Sequence, residues 1–109
     1  MELNEQAVRL KIYVGESDRY QGKPAYQAVV QFMREKGFWG ATVTRGIYGF
    51  GKRSRLHSAS ALRLSEDLPL IIEVVEAREK VLAVVSEISE MVRGGLVTVE
   101  DVTVLRHIG

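Results

Sequence analysis

The chain has 109 residues, with 15 Lys or Arg against 14 Asp or Glu, a formal net charge of +1 and no cysteine. The missing cysteines exclude disulfides, thiolate zinc sites and cysteine nucleophiles; the near-neutral total says little about nucleic acid, whose binding is not expected, and the distribution of charge says more. The length fits a single domain, 1–109, with one core. Met1–Gln6 is polar and acidic and is no signal peptide. The longest apolar stretch, Leu68–Val75, is broken by Pro69 and Glu73, far short of the ~20 residues a membrane span needs. A cytoplasmic protein is expected.

In chain order, Val8, Leu10, Ile12 and Val14 alternate with Arg9, Lys11 and Tyr13, the period of a strand with one buried face. Residues 15–22 are polar and turn-like. Pro24 opens a helix, where its missing N–H would be unbonded anyway. Tyr26, Val29, Val30 and Met33 mark that helix's apolar stripe, and Gly37 ends it. Residues 39–45 and 68–75 read as the second and third strands. Val81, Val84, Val85, Ile88 and Val92 recur at helical spacing and predict one second helix, closed by Arg93-Gly94-Gly95. Residues 96–106 give a fourth strand, and the parity change between Val99 and Val102 predicts a bulge at Glu100-Asp101. The order βαββαβ is the split-βαβ arrangement. It predicts an α+β, ferredoxin-like sandwich: a four-stranded antiparallel sheet with two helices on one face.

About twenty residues separate strands two and three, more than a structureless loop ordinarily needs, and a short helix around Ala59–Leu64 is expected within them. Gly46, Gly49 and Gly51 let the backbone approach a ligand closely. From Arg45 to Arg63 there are five basic residues and no acidic one. Arg45, Lys52, Arg53 and Arg55, with His57 and the loop's backbone N–H groups, are therefore candidates for cradling an anion. Tyr48 and Phe50 fit either stacking on a base or packing against another subunit.

Other readings fail on their residues. The spacing G-x-x-G-x-G reverses the dinucleotide fingerprint, and Gly15 to Gly22-Lys23 has the wrong spacing for a P-loop, with Pro24 in the Ser/Thr position. Arg19, after the first strand, imitates the phosphate-binding Arg of an acylphosphatase. That family's glycine loop and water-positioning Asn are missing, since Asn4 is the only Asn. Ser54, Ser58 and Ser60 lie near His57, but no Asp falls nearby in sequence to orient it. His57 and His107 have basic and apolar neighbours rather than the acidic support a metal would want. No enzyme activity and no cofactor are expected.

Four blocks resemble a known family: Tyr13-Val14-Gly15-Glu16, Gly22-Lys23-Pro24, the run from Gly40 through Arg45-Gly46 to Gly49-Phe50-Gly51, and Leu64-Ser65-Glu66-Asp67-Leu68-Pro69. They are similar to Domain of Unknown Function 190, a family classed as PII-like. The resemblance implies a homotrimer whose loop between strands two and three, here 46–66, adapts to ligands and to a protein partner. PII proteins hold adenine nucleotides between subunits, at the base of that loop and at the turn after helix two. The matching positions are Arg45-Gly46 and Arg93-Gly94-Gly95, so an adenine nucleotide or another small anion is the expected ligand. The alternatives are a metal-binding trimer similar to the CutA family and a purely structural trimer.

Overall fold

The computed structural model describes residues 6–49, 57–58 and 68–106. In chain order these form β1 (Ala7–Gly15), β2 (Arg19–Tyr20), β3 (Lys23–Pro24), α1 (Ala25–Glu35), β4 (Thr42–Arg45), β5 (Tyr48–Gly49), β6 (His57–Ser58), β7 (Pro69–Ala77), α2 (Arg78–Leu82), α3 (Val85–Met91) and β8 (Leu96–Val102). The four long strands make one antiparallel sheet in the order β4-β7-β1-β8. That is the ferredoxin-like order, with two small ladders added to it.

Alternation decides what the sheet buries. Val8, Leu10, Ile12 and Val14 of β1 and Leu70, Ile72 and Val74 of β7 share one face. They pack with Ala25, Val29 and Met33 of α1 and with Val81, Val84, Ile88 and Val92 of the second helical segment. Leu10, Ile12 and Ile72 are fully buried, so truncating any of them to Ala should cost about 2–5 kcal/mol. Residues 68–75 are apolar on both parities; the register decides which set is buried. Ile71, Glu73 and Val75 point to the opposite face, in rows with Tyr13, Lys11 and Arg9. Thr44 and Thr42 extend two of those rows on β4, and Leu96, Thr98 and Glu100 extend all three on β8. Across this second face Arg9 reaches Glu100 at 3.1 Å and Glu73 at 3.6 Å.

The ends of α1 follow from its residues. Its C-terminus closes in a Schellman turn: Gly37 at φ 78° donates its N–H to the Arg34 carbonyl, and Phe38 donates to Met33. Beside that turn Glu76 is buried at 2 % exposure. Its carboxylate accepts from the N–H of Trp39 at 3.3 Å and of Ala77 at 2.9 Å, with Lys80 Nζ at 3.8 Å. Lys80 also donates to the Gly37 carbonyl at 2.6 Å and lies over the Phe38 ring. One buried acid thus ties the end of β7 to the end of α1.

Four expectations need correction. The second helix is not continuous. Val84 sits at φ −118°, ψ 0°, its N–H bonding back three residues to Val81, and the axis restarts at Val85; adjacent β-branched valines favour such a break. There is no bulge at Glu100-Asp101, because the β1–β8 register is unbroken from Leu96 to Val102. Val102 simply points to the second face. The second strand begins at Thr42 rather than Trp39, and the fourth ends at Val102 rather than Arg106. The polar stretch after β1 is a hairpin, β2–β3, turning at Gln21 (φ 49°) and Gly22 (φ 81°). Two consecutive positive φ values are the type I′ signature that suits a twisted two-residue hairpin. The expected helix at Ala59–Leu64 lies outside the described residues.

Candidate functional site

The candidate site is built at one end of the sheet, where β1 and β4 finish and β7 and β8 begin. Arg45 closes β4 opposite Leu70, which pairs in turn with Val14. Beyond it the Gly46 N–H donates to the Pro69 carbonyl at 2.7 Å. A Cβ on Gly46 would lie 2.9 Å from Pro69 Cγ and 3.3 Å from its carbonyl oxygen. Glycine is required here because the chain passes directly over a rigid ring. The loop then forms a short ladder, Tyr48 opposite Ser58 and Gly49 opposite His57, so it is not structureless throughout.

Arg45 is not waiting unpaired for a ligand. Its guanidinium bonds the carboxylate of Glu16, the residue after β1. Glu16 is held in place by its own backbone, whose N–H donates to the Leu68 carbonyl at 2.9 Å. Its side chain is only 17 % exposed, against 58 % for Arg45. The second carboxylate oxygen, Oε1, is buried without a hydrogen-bond partner among the described residues. Next to Glu16, Asp18 fastens the turn: its Oδ2 accepts from the Gly15 N–H and its carbonyl from the Ala25 N–H. Asp18 therefore acts as turn chemistry.

The second group of candidate residues lies at the same end of the sheet but on the opposite edge. Gly94, at φ 85°, and Gly95 lead into β8. The Gly95 N–H donates to the Val92 carbonyl at 2.8 Å. A Cβ there would come within 2.5 Å of the Tyr13 carbonyl oxygen, so this glycine also has a packing reason. Arg93 is exposed and paired with Glu90 at 2.7 Å. That hydrogen bond, and then the charge of Glu90, raise the Arg93 pKa above its ordinary value. A groove of about 250 Å³ runs beside this turn, lined by Asp18, Arg19, Tyr20 and Gln21 of the β2–β3 hairpin and by Glu90–Arg93.

β7 and β1 lie between the two edges, so Arg45-Gly46 and Arg93-Gly95 are separated by three strand spacings, roughly 14 Å. Within one chain the two groups do not converge. Of the other candidates, Gly49 and His57 are placed by the short ladder, and Phe50, Gly51, Lys52, Arg53 and Arg55 lie outside the described residues. Among the described residues no three of His, Cys, Asp and Glu gather closely enough to hold a metal ion. None of the described helices is long and apolar enough to cross a membrane. Sequence reasoning missed Glu16 as the partner of Arg45. In sequence, Glu16 with Ser17, Asp18 and Arg19 after the first strand suits an anion or a partner's guanidinium, but nothing there points to Arg45 of the same chain.

The sequence profile of Domain of Unknown Function 190, described as "Uncharacterized ACR", matches residues 7–104. The chain belongs to this family. A UPF0166 protein of Aquifex aeolicus is 34 % identical over 96 residues, covering 88 % of this chain and 90 % of that one. Another, from Methanocaldococcus jannaschii, is 36 % identical over 93 residues, covering 84 % and 85 %. Among solved structures the fold is similar to CPII, a nitrogen regulatory PII-like protein from Thiomonas intermedia K12 bound to ADP, AMP and bicarbonate. The TM-score is 0.67 at 18 % identity, covering 93 % of this chain and 90 % of that one. The Domain of Unknown Function 190 chain thus carries a PII-like fold, built on the ferredoxin-like strand order.

Proposed function

We propose that this protein is a PII-like sensor that binds rather than catalyses. It takes a small anion, an adenine nucleotide in the first instance, at clefts between three copies of itself and presents the 46–66 loop to a protein partner. The observation that carries the reading is the split of the basic groups. Arg45-Gly46 and Arg93-Gly94-Gly95 stand at one end of the sheet on opposite edges. A ring of copies that sets one edge beside the next brings the two groups together. The bound ADP, AMP and bicarbonate of the CPII structure support the choice of ligand class by analogy of fold.

The second face of the sheet supports the trimer. No described helix covers it, and half-buried Tyr13, Ile71 and Val75 share it with Arg9, Lys11 and Glu73. Mixed polarity of this kind suits an interface between copies. The physical route to signalling is ordering of the loop. Charge-assisted bonds from Lys52, Arg53 and Arg55 contribute roughly 1.5–3 kcal/mol each, against about 1–2 kcal/mol per ordered residue. Three such bonds bias a loop whose base is already pinned at Gly46 and in the Tyr48–Ser58 ladder.

Calorimetric titration with ATP, ADP, AMP, cyclic nucleotides and divalent metals tests the reading. Saturable heat with a nucleotide is expected. Heat with metals alone would favour the CutA-like alternative, and silence throughout a purely structural trimer.

A further inference from the structure

We propose that Glu16 is a built-in competitor for the anion site at the loop base: its carboxylate occupies Arg45 and sets the selectivity of that site against highly charged ligands. The proposal rests on the anion-binding reading above and deepens it. Three observations converge. The Glu16 carboxylate is the acid that Arg45 bonds among the described residues. It is mostly buried, whereas the guanidinium it holds is largely exposed, so the open side of the pair is the arginine. One carboxylate oxygen is buried without a hydrogen-bond partner among the described residues, an arrangement that costs free energy and that the contact with Arg45 offsets.

An arginine has five N–H donors, and an incoming phosphate finds the outer edge of Arg45 open to solvent. Two anions then share one guanidinium. Whether the phosphate displaces Glu16 or joins it, the fixed negative charge opposes the ligand, and the opposition grows with ligand charge. Glu16 cannot easily retreat, because its backbone is bonded to Leu68 and the neighbouring turn is fastened by Asp18. The contact therefore acts as a threshold. Only a ligand with further contacts overcomes it, and the barrier rises with the ligand's own charge. A carboxylate that merely positions Arg45 would have the opposite effect, since removing its charge would loosen the arginine and weaken binding.

The experiment compares wild type, Glu16→Gln, Arg45→Ala and the double variant, titrated with AMP, ADP, ATP and pyrophosphate. Glu16→Gln should bind roughly three- to tenfold more tightly, with the gain rising from AMP to ATP and vanishing in the Arg45→Ala background. Unchanged or weaker binding by Glu16→Gln, or a gain that survives in the double variant, overturns the proposal; nucleotide binding by wild type would still stand. If no variant binds an adenine nucleotide but Glu16→Gln binds pyrophosphate more tightly than wild type, the competitor stands and the nucleotide reading falls. If no phosphate probe binds any variant, both fall. A measurement on wild type guards against a misfolded variant: the Glu16 carboxyl carbon resonance must move when pyrophosphate is added, and an unmoved signal overturns the proposal.

Discussion

Replacing Gly95 with Ala tests whether the turn before β8 is shaped by packing or only by a ligand. The new Cβ would stand 2.5 Å from the Tyr13 carbonyl oxygen and 3.0 Å from that of Val92. Both obstacles are backbone, so neither can rotate away. The two backbone segments must part by at least about half an ångström. That movement pulls on the Gly95 N–H bond to Val92 and on the end of the β1–β8 ladder at Tyr13–Leu96. Overpacking of this kind costs about 1–3 kcal/mol, and a weakened hydrogen bond about 1 more. A loss of roughly 2–4 kcal/mol is expected, read as a lower midpoint in urea unfolding followed by circular dichroism at fixed protomer concentration. Gly22→Ala is the control. Nothing lies within 4 Å of its added Cβ, but its φ is +81°, so it should lose only about 1–2 kcal/mol. A Gly95→Ala variant as stable as wild type would refute the packing argument and leave ligand contact as the reason for the glycine.

Two further outcomes follow from the same geometry. Glu76→Leu removes the buried acceptor that the N–H groups of Trp39 and Ala77 share and should lower unfolding free energy by about 2–4 kcal/mol; a loss below about 0.5 kcal/mol in the same urea experiment would show that Glu76 does not tie α1 to β7. Ile71→Asp places an acid in the row Thr44, Ile71, Tyr13, Leu96 on the uncovered face. Light scattering should report a trimer for wild type and a smaller species for this variant, and a wild-type monomer at micromolar concentration would remove the trimer.

The strand pattern was legible because Val8, Leu10, Ile12 and Val14 alternate without a break, and so was the first helix, because Pro24 and Gly37 punctuate both its ends. Other features were not local. Leu70, Ile72 and Val74 are as apolar as Ile71 and Val75, so only pairing with β1 tells which set is buried. Val102 reads as a slipped strand because it shares the second face with polar Thr98 and Glu100, whereas Val97 and Val99 lie on the core face. The β2–β3 hairpin turns on Gln21 at positive φ, a residue with no preference for it, which hid the type I′ turn. At the site, Arg45 and the loop glycines could be read from composition and family resemblance. The pairing of Arg45 with Glu16, 29 residues away, could not, because it depends on β7 bringing the ends of β1 and β4 to the same end of the sheet.

The central claim, that each ligand cleft combines the loop base of one copy with the β8 turn of another, is tested most directly by mixing two disabled variants. Arg45→Ala and Arg93→Ala should each bind ADP poorly as pure proteins. When equal amounts are unfolded together and refolded, about a quarter of the clefts should pair an intact Arg45 from one copy with an intact Arg93 from its neighbour. Calorimetry with ADP should then recover that fraction of wild-type sites. Full binding by either pure variant, or no recovery in mixed trimers, would contradict a site shared between copies.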